Sequence, residues 1–379
     1  MTMVLNEEQR LLSDTAAEFL AANAPVSALR ALRDSHDALG YSLPLWQQMA
    51  ELGWAGIIVP EEFGGLGFGF AGLAAVQQQC GRTLTASPLF ASCVLGASAI
   101  LLGGSKRQKE SILPPLARGE LSLALALEES PHHDPLGVML EARPDGADFV
   151  LNGSKQFVLD GHSADSLIVV ARSHGKRGDR EGISLFLVGA DSPGVERRRT
   201  LMMDSRNAAR IDFNGVRVAA DALIGTEGEG YPILEQVLDR GRAALAAEML
   251  GGIRQTFELT MDYLKQREQF GAPIGSFQAM QHRAAHMFSE IELCHSVALE
   301  ACSAVDENPA MLPLLASLAK ARANDCYELV SNEAVQMHGG VGTTDALDIG
   351  LYLKRARVCM QTLGDARFHR SRYASLRGF

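Results

Sequence analysis

The stretch Gln336-Met-His-Gly-Gly-Val-Gly342, followed by Lys354-Arg-Ala-Arg-Val-Cys-Met-Gln-Thr-Leu-Gly-Asp365, decides how the rest of the chain is read. Gly339 and Gly340 carry no Cβ, so another group can approach their backbone closely. Taken alone, such a pair is usually only a helix stop, and its meaning depends on what flanks it. From Tyr231 nearly to the end, apolar residues recur at helical spacing, which sets the glycine pair between helices. Upstream, from about Leu121 to Leu223, the period shortens to β-type runs such as Phe149-Val-Leu, Ser166-Leu-Ile-Val-Val and Ile183-Ser-Leu-Phe-Leu-Val. Asn152-Gly153 and Asp160-Gly161 turns separate them. From Leu5 to about Arg118 the helical period holds, as in Leu12, Ala16, Phe19 and Leu20, broken by the glycine-rich Pro60-Glu-Glu-Phe-Gly-Gly-Leu-Gly67. There is no internal repeat and no low-complexity linker. The pattern predicts an α+β multidomain chain with helices over 1–118, a small β domain over 119–225 and helices over 226–379.

Bulk properties narrow the function classes. A chain of 379 residues, 47% hydrophobic, is long enough for two or three well-buried cores. A formal charge of −10 opposes a nucleic-acid surface, which needs a basic stripe to neutralise phosphates. No apolar run reaches the roughly 20 residues that span a bilayer. The opening Met1-Thr-Met-Val-Leu-Asn-Glu-Glu-Gln-Arg lacks the basic and apolar regions of a signal peptide. The six cysteines show no Cys-x-x-Cys spacing and read as reduced residues of a cytoplasmic protein, neither metal ligands nor disulfides.

Taken together in order, these segments resemble the acyl-CoA dehydrogenase family over essentially the whole chain. In that family a Gln-x-x-Gly-Gly turn holds the ADP part of FAD. Pro60-Glu-Glu-Phe-Gly-Gly-Leu-Gly67 is similar to the family's N-domain loop, and Arg267-Glu-Gln-Phe-Gly271 with Gln278 is similar to its cofactor-contacting helix-to-helix segment. The resemblance implies an N-terminal all-α domain, a middle small β-barrel or sandwich, and a C-terminal four-helix bundle. It also implies FAD bound between two subunits, α-proton abstraction from an acyl-CoA thioester by a carboxylate, and hydride transfer from the β-carbon to the flavin. Electron-transfer flavoprotein is the implied acceptor.

The resemblance assigns two half-sites, which this sequence treats differently. The half donated to a neighbour is complete. Arg267 stands where the family places a guanidinium on the FAD pyrophosphate, a task that suits a planar, permanently charged fork. Phe270 packs on the cofactor, Gln269 replaces a small hydroxyl residue, Gln278 belongs to the same segment, and Gln336 with Gly339 and Gly340 serves the adenosine side. The half that holds the chain's own flavin ring is eroded. Where the family has Thr-Glu-Pro-Gly-x-Gly-Ser-Asp, this chain reads Glu128-Glu-Ser-Pro-His-His-Asp-Pro135, with bulk and a proline in place of bare backbone donors. Leu127 and Glu129, at and beside this segment, are with Phe157 and Leu159 the positions where the resemblance places cofactor contacts of the chain's own flavin. We read His132 and His133 as an exposed polar loop, since no third ligand at recognisable spacing makes a metal site; Glu128 and Glu129 are poor substitute bases on this loop, and as plain structure solvent-facing charges. Where the family has Trp-Ile-Thr-Asn-Gly, this chain has Phe157-Val-Leu-Asp-Gly161. Phe157 still covers a ring in this register, but Leu159 cannot donate the hydrogen bond of the family's threonine. As plain structure, Phe157 and Leu159 form the inward face of an alternating strand.

The family's base is also missing. Abstraction of a weakly acidic proton needs a carboxylate within hydrogen-bond reach. The usual Glu is replaced by Leu363, and the alternative position, one residue before an Arg, is Gly241. Asp365 and Glu248 are poor substitutes: the first needs a rearranged loop, and the second lies seven residues past Gly241, about 10 Å along the helix. Arg242 matches a family arginine at the substrate end of the pocket. Some bacterial members of the family are heteromeric, one subunit holding base and flavin ring while a related partner completes the ADP site. The resemblance therefore implies a non-catalytic or weakly catalytic subunit, most simply in an α2β2 tetramer. A homotetrameric dehydrogenase with a relocated base and a flavin-free acyl-CoA-binding scaffold are the alternatives.

Overall fold

The computed structural model describes residues 6–379. Leu5, where the helical period begins, and the opening residues lie outside them. Helices α1 (Glu7–Asn23), α2 (Val26–Asp34), α3 (Leu43–Glu51), α4 (Gly69–Thr83), α5 (Ala97–Gly103) and α6 (Lys106–Ala117) precede the first strand. The starts of α1 and α6 are set by capping boxes, Asn6 with Gln9 and Ser105 with Gln108, each side chain satisfying an orphan backbone N–H of the other's end. The Pro60–Gly67 loop folds back on itself so tightly that a Cβ on Gly65 would stand 2.1 Å from the Val59 carbonyl oxygen.

The β region is one eight-stranded sheet. Its strands are β1 (Leu123–Ala126), β2 (Glu141–Asp145), β3 (Asp148–Leu159), β4 (Ser166–Arg172), β5 (Ile183–Gly189), β6 (Val195–Leu201), β7 (Asn207–Val218) and β8 (Leu223–Ile224). They run in the order β6-β7-β3-β2-β4-β5-β8, with β1 parallel to β4. Phe149, Leu151, Val169, Phe186, Ile211 and Phe213 fill its core. The expected alternation fails at the end of β3. Pairing with β7 slips between Lys155 and Val158, and Phe157 adopts a left-handed φ of 52°. This bulge turns Val158 inward and leaves Phe157 39% exposed and Leu159 half-buried, so Phe157 and Leu159 are not an inward face.

The C-terminal region contains α7 (Tyr231–Gln266), the hairpin strands β9 (Glu268–Gln269) and β10 (Ala272–Pro273), α8 (Gln278–Glu307), α9 (Leu312–His338), α10 (Ile349–Gln361) and α11 (Ala366–Leu376). The chain divides into two compact units. One contains the N-terminal helices through Ala31, Phe70–Thr85 and Arg242–Phe379, and the other contains Leu32–Gly69 and Ala86–Gly241. Within the first, α4 crosses α7 at backbone contact. A Cβ on Gly81 would stand 1.9 Å from the Glu248 carbonyl oxygen, and one on Gly251 1.8 Å from that of Gln78. Only glycine at both positions allows this approach.

Among the described residues no helix is long and apolar enough to cross a membrane, and no cluster of His, Cys, Asp or Glu is arranged to hold a metal. All six cysteines are buried, and none is in a disulfide.

Candidate functional site

The residues that the sequence resemblance assigns to a donated half-site gather at one end of the helical unit. Tyr263, near the end of α7, stacks on His338 with ring centroids 4.3 Å apart, and its hydroxyl donates to the His338 carbonyl at 3.3 Å. Arg267 follows one helical turn after Tyr263, and Gly339 immediately follows His338, so this contact ties the two segments together. The carbonyl of Arg267 accepts the Ile274 amide at 2.8 Å and closes the β9–β10 hairpin. Phe270 and Gly271 form its two-residue turn with φ of 56° and 77°. Such a turn requires positive φ at both central residues and favours Asn-Gly or Gly-Gly. Phenylalanine there is strained, and its ring is 95% exposed. Arg267, Gln269, Gln278 and Gln336 are exposed, and among the described residues none of their side chains has a hydrogen-bond or ion-pair partner. Gly339 needs glycine for its own backbone, at φ 64° and ψ −148°. Gly340 does not: its φ is ordinary, and a Cβ there would meet nothing within 4 Å.

The turn Thr362–Asp365 contains Leu363, the position where the sequence resemblance places the base. Leu363 is buried and left-handed, φ 57°. Its carbonyl accepts from His369 Nε2 at 3.0 Å and Arg242 Nε at 3.3 Å. The Gly364 carbonyl accepts from Lys320 Nζ at 3.0 Å and Asn324 Nδ2 at 3.4 Å. Lys320 Nζ also donates to Cys359 O at 2.9 Å and Asn324 Oδ1 at 2.7 Å. Burial pulls this ammonium from its ordinary 10.5 down to about 7. Arg242 is buried, with its guanidinium 5.5 Å from the centre of the Phe368 ring. The two substitute carboxylates are engaged elsewhere. Asp365 caps α11 by accepting the Phe368 amide at 2.7 Å, and buried Glu248 pairs with Arg355 at 2.8 Å. Gly241, inside α7, offers no side chain.

In the sheet unit the loop after β1 satisfies itself. Lys155, fully buried beneath it, donates to Leu127 O at 2.9 Å and Glu129 Oε1 at 2.7 Å. Glu129 also accepts the amides of Met139 and Leu140 at 2.9 and 3.0 Å. Glu128 accepts from His133 Nδ1 at 2.5 Å, and that ring is buried. The exposed polar loop is thus corrected: His132 is exposed, but His133, Glu128 and Glu129 are tied into the fold, because a buried ammonium and two backbone amides need an acceptor. Leu127 is buried, and a cleft of about 130 Å³ beside it is lined by Glu129, Asp134, Met139 and Arg177. Sequence reading missed Lys155 and Lys320. For Lys320 the signal was its helical spacing from the buried Ala316 and Ala323.

Three family descriptions match in chain order: acyl-CoA dehydrogenase N-terminal domain over residues 6–120, middle domain over 131–216 and C-terminal domain over 228–375. The mitochondrial isovaleryl-CoA dehydrogenase of Pongo abelii is 30% identical over 361 residues, 93% of this chain and 85% of that protein. The structure of butyryl-CoA dehydrogenase from Megasphaera elsdenii superposes with a TM-score of 0.91 at 26% identity, covering 100% of both chains. A chain of the ChsE4-ChsE5 complex from Mycobacterium tuberculosis gives 0.90 at 25% identity, covering 100% of this chain and 99% of that one. Helices, sheet and helices each find their counterpart in sequence and in space, and the chain belongs to the acyl-CoA dehydrogenase family.

Proposed function

We propose that this chain is a non-catalytic or weakly catalytic acyl-CoA dehydrogenase subunit that completes the FAD site of a related partner. Members of the family are FAD-dependent oxidoreductases. The observation that carries the reading is Arg267, whose guanidinium has no partner within the described chain and which flanks a turn presenting a strained, solvent-exposed Phe270. These groups fit the ADP part of FAD. Arg267 would hold the pyrophosphate with charge-assisted bonds, Phe270 would pack on the cofactor, and Gln336 with Gly339 and Gly340 would face the adenosine side. The sheet unit does not fit the ring, because Glu129 already takes the loop amides of Met139 and Leu140, and Leu159 has no hydrogen to donate. FAD, when bound in the assembly, supplies the hydride acceptor for an acyl-CoA thioester. The flavin-ring pocket and the base are then the partner's, because Leu363 and Gly241 stand at both base positions here. Electron-transfer flavoprotein is the acceptor we assign to the assembly. The neighbour named as a complex of two components, ChsE4 and ChsE5, supports such a division of labour.

FAD titrated into the isolated chain should show no tight site, whereas the chain co-purified with a base-bearing relative should retain flavin. In that complex Arg267→Ala removes a charge-assisted phosphate bond worth about 1.5–3 kcal/mol, so retention should fall roughly tenfold or more. The apo melting temperature should hold. Tight binding of one FAD per isolated chain, or unchanged retention in the Arg267→Ala complex, would overturn the reading.

A further inference from the structure

We propose that Asn214 is a modification site of this chain, losing its side-chain amide to attack by the Gly215 backbone nitrogen, and that Asn152 is the residue that restrains the reaction. The inference uses only the sheet unit and is independent of the shared-FAD reading. Two asparagines precede glycine, Asn152 and Asn214, and they lie opposite each other in the β3–β7 pair. Every other asparagine precedes a residue with a side chain or a proline ring. Glycine leaves the following nitrogen unhindered on its approach to the asparagine Cγ.

The reaction is a deamidation closed by water. The Gly215 nitrogen gives its proton to solvent base and bonds to Asn214 Cγ. The Cγ–Nδ2 bond breaks, and Nδ2 leaves as ammonia with a proton returned from solvent. The five-membered imide then takes up one water. Opening at one carbonyl gives aspartate and at the other isoaspartate, and nothing is oxidised or reduced.

The fold presents the reactants at one of the two sites and withholds them at the other. Pairing runs Leu151 with Val216 and then Asn152 with Asn214, so Gly215 is the extra residue of a bulge, at a left-handed φ of 65°. Asn214 and Gly215 are exposed, and a Cβ on Gly215 would meet nothing within 4 Å. The Asn214 side chain reaches Glu196 Oε1 at 3.4 Å, a long bond that solvent replaces easily. Asn152, by contrast, is half-buried and paired on both sides, with Glu141 of β2 and Asn214 of β7. A ring closing there must break two ladders.

One bond restrains Asn214. The bulge takes the Gly215 N–H out of the ladder, and Asn152 Oδ1 accepts it at 2.8 Å. That same N–H must be given up before the nitrogen can attack, so Asn152 acts through Gly215 as a positioning residue. The product disturbs the neighbouring strand. Aspartate at 214 sets a carboxylate against Glu196 where a donor stood, and isoaspartate lengthens β7 by one methylene where β6 begins to pair.

The test is peptide mapping by mass spectrometry of the folded chain held at mildly alkaline pH, with isoaspartate read by enzymatic carboxyl methylation. In wild type the peptide carrying Asn214 should convert ahead of those carrying Asn152 and the other asparagines. Asn152→Ala removes one ordinary hydrogen bond and should speed conversion of Asn214 by roughly two- to tenfold. Asn152→Asp keeps an acceptor for the Gly215 N–H and should convert no faster than wild type, which a general loosening of the fold would not produce. Converted protein should show faster amide exchange over residues 195–197 than unconverted protein. The first and last measurements need only wild-type protein, so a variant that fails to fold does not remove the test. Conversion at Asn152 or another asparagine ahead of Asn214, or equal rates in Asn152→Ala and wild type, overturns the proposal.

Discussion

Gly340→Ala separates a glycine kept for the chain from one kept for something outside it. Gly340 has an ordinary φ, and an added methyl would meet nothing within 4 Å. Within the lone chain the change should therefore stabilise by about 0.4–1 kcal/mol, because alanine narrows the unfolded ensemble without straining the folded one. Gly251→Ala is the contrast: its methyl would stand 1.8 Å from the Gln78 carbonyl oxygen, backbone against backbone. That substitution should cost at least the upper end of the about 1–3 kcal/mol typical of overpacking, since α4 and α7 must separate. Gly339→Ala is less informative, because its φ of 64° and ψ of −148° strain any side chain. In the assembled complex the order reverses. If the adenosine side of FAD lies on Gly340, the same methyl is forced into a packed contact and costs about 1–3 kcal/mol of cofactor binding. Flavin retention should then fall roughly five- to hundredfold. Calorimetry of the apo chain and fluorescence-detected FAD release from the complex read the two effects separately. A complex that keeps its flavin as wild type does would leave Gly340 facing only water, and a clear drop in apo melting temperature would show that the open face is packed after all.

Two further outcomes follow from the remaining sites. Leu363→Glu should not by itself make an active homomeric dehydrogenase, because a base accelerates the reaction only against an aligned ring and thioester. Rapid bleaching of flavin by an acyl-CoA in that variant would sink this. Glu129→Ala should destabilise the chain by about 3–5 kcal/mol in urea titrations, since it strands the buried Lys155 ammonium, and Glu129→Ala with Lys155→Met should recover much of that loss. A single variant within about 1 kcal/mol of wild type would contradict the ion-pair reading.

The layered order of helices, sheet and helices was legible because each layer repeats its period many times, as Leu12, Ala16, Phe19 and Leu20 do on α1. Phe157 and Leu159 were misread because a β-bulge shifts the face with no change in composition, and only pairing with β7 reveals it. Glu129 read as a solvent charge because its partner Lys155 is 26 residues away, on another strand. Local pattern sees neighbours along a helix or strand, and it is blind to an ammonium that arrives from elsewhere. The exposed groups that crowd the end of α7 and α9 were readable only through family register, since an unpaired arginine and a glycine pair look like any surface turn.

Backbone strain distinguishes the β9–β10 hairpin from the Leu363 turn more sharply than composition does. Leu363 and Phe270 are both non-glycine residues at positive φ, each costing about 1–3 kcal/mol. At Leu363 the cost is offset inside the chain: the side chain is buried, and its carbonyl takes bonds from His369 and Arg242, with Lys320 holding the next one. At Phe270 the only ring contact among the described residues is an edge-on Phe277, 6.2 Å away and itself exposed, and Phe270 is 95% exposed. Nothing among the described residues repays that conformation or the exposure of so large an apolar surface. A residue of this kind persists when its stabilisation comes from outside, from a surface that buries the ring and fixes the turn. The strain at the hairpin is what the shared-cofactor proposal requires of a turn that serves another molecule, whereas the Leu363 turn is completed by its own chain.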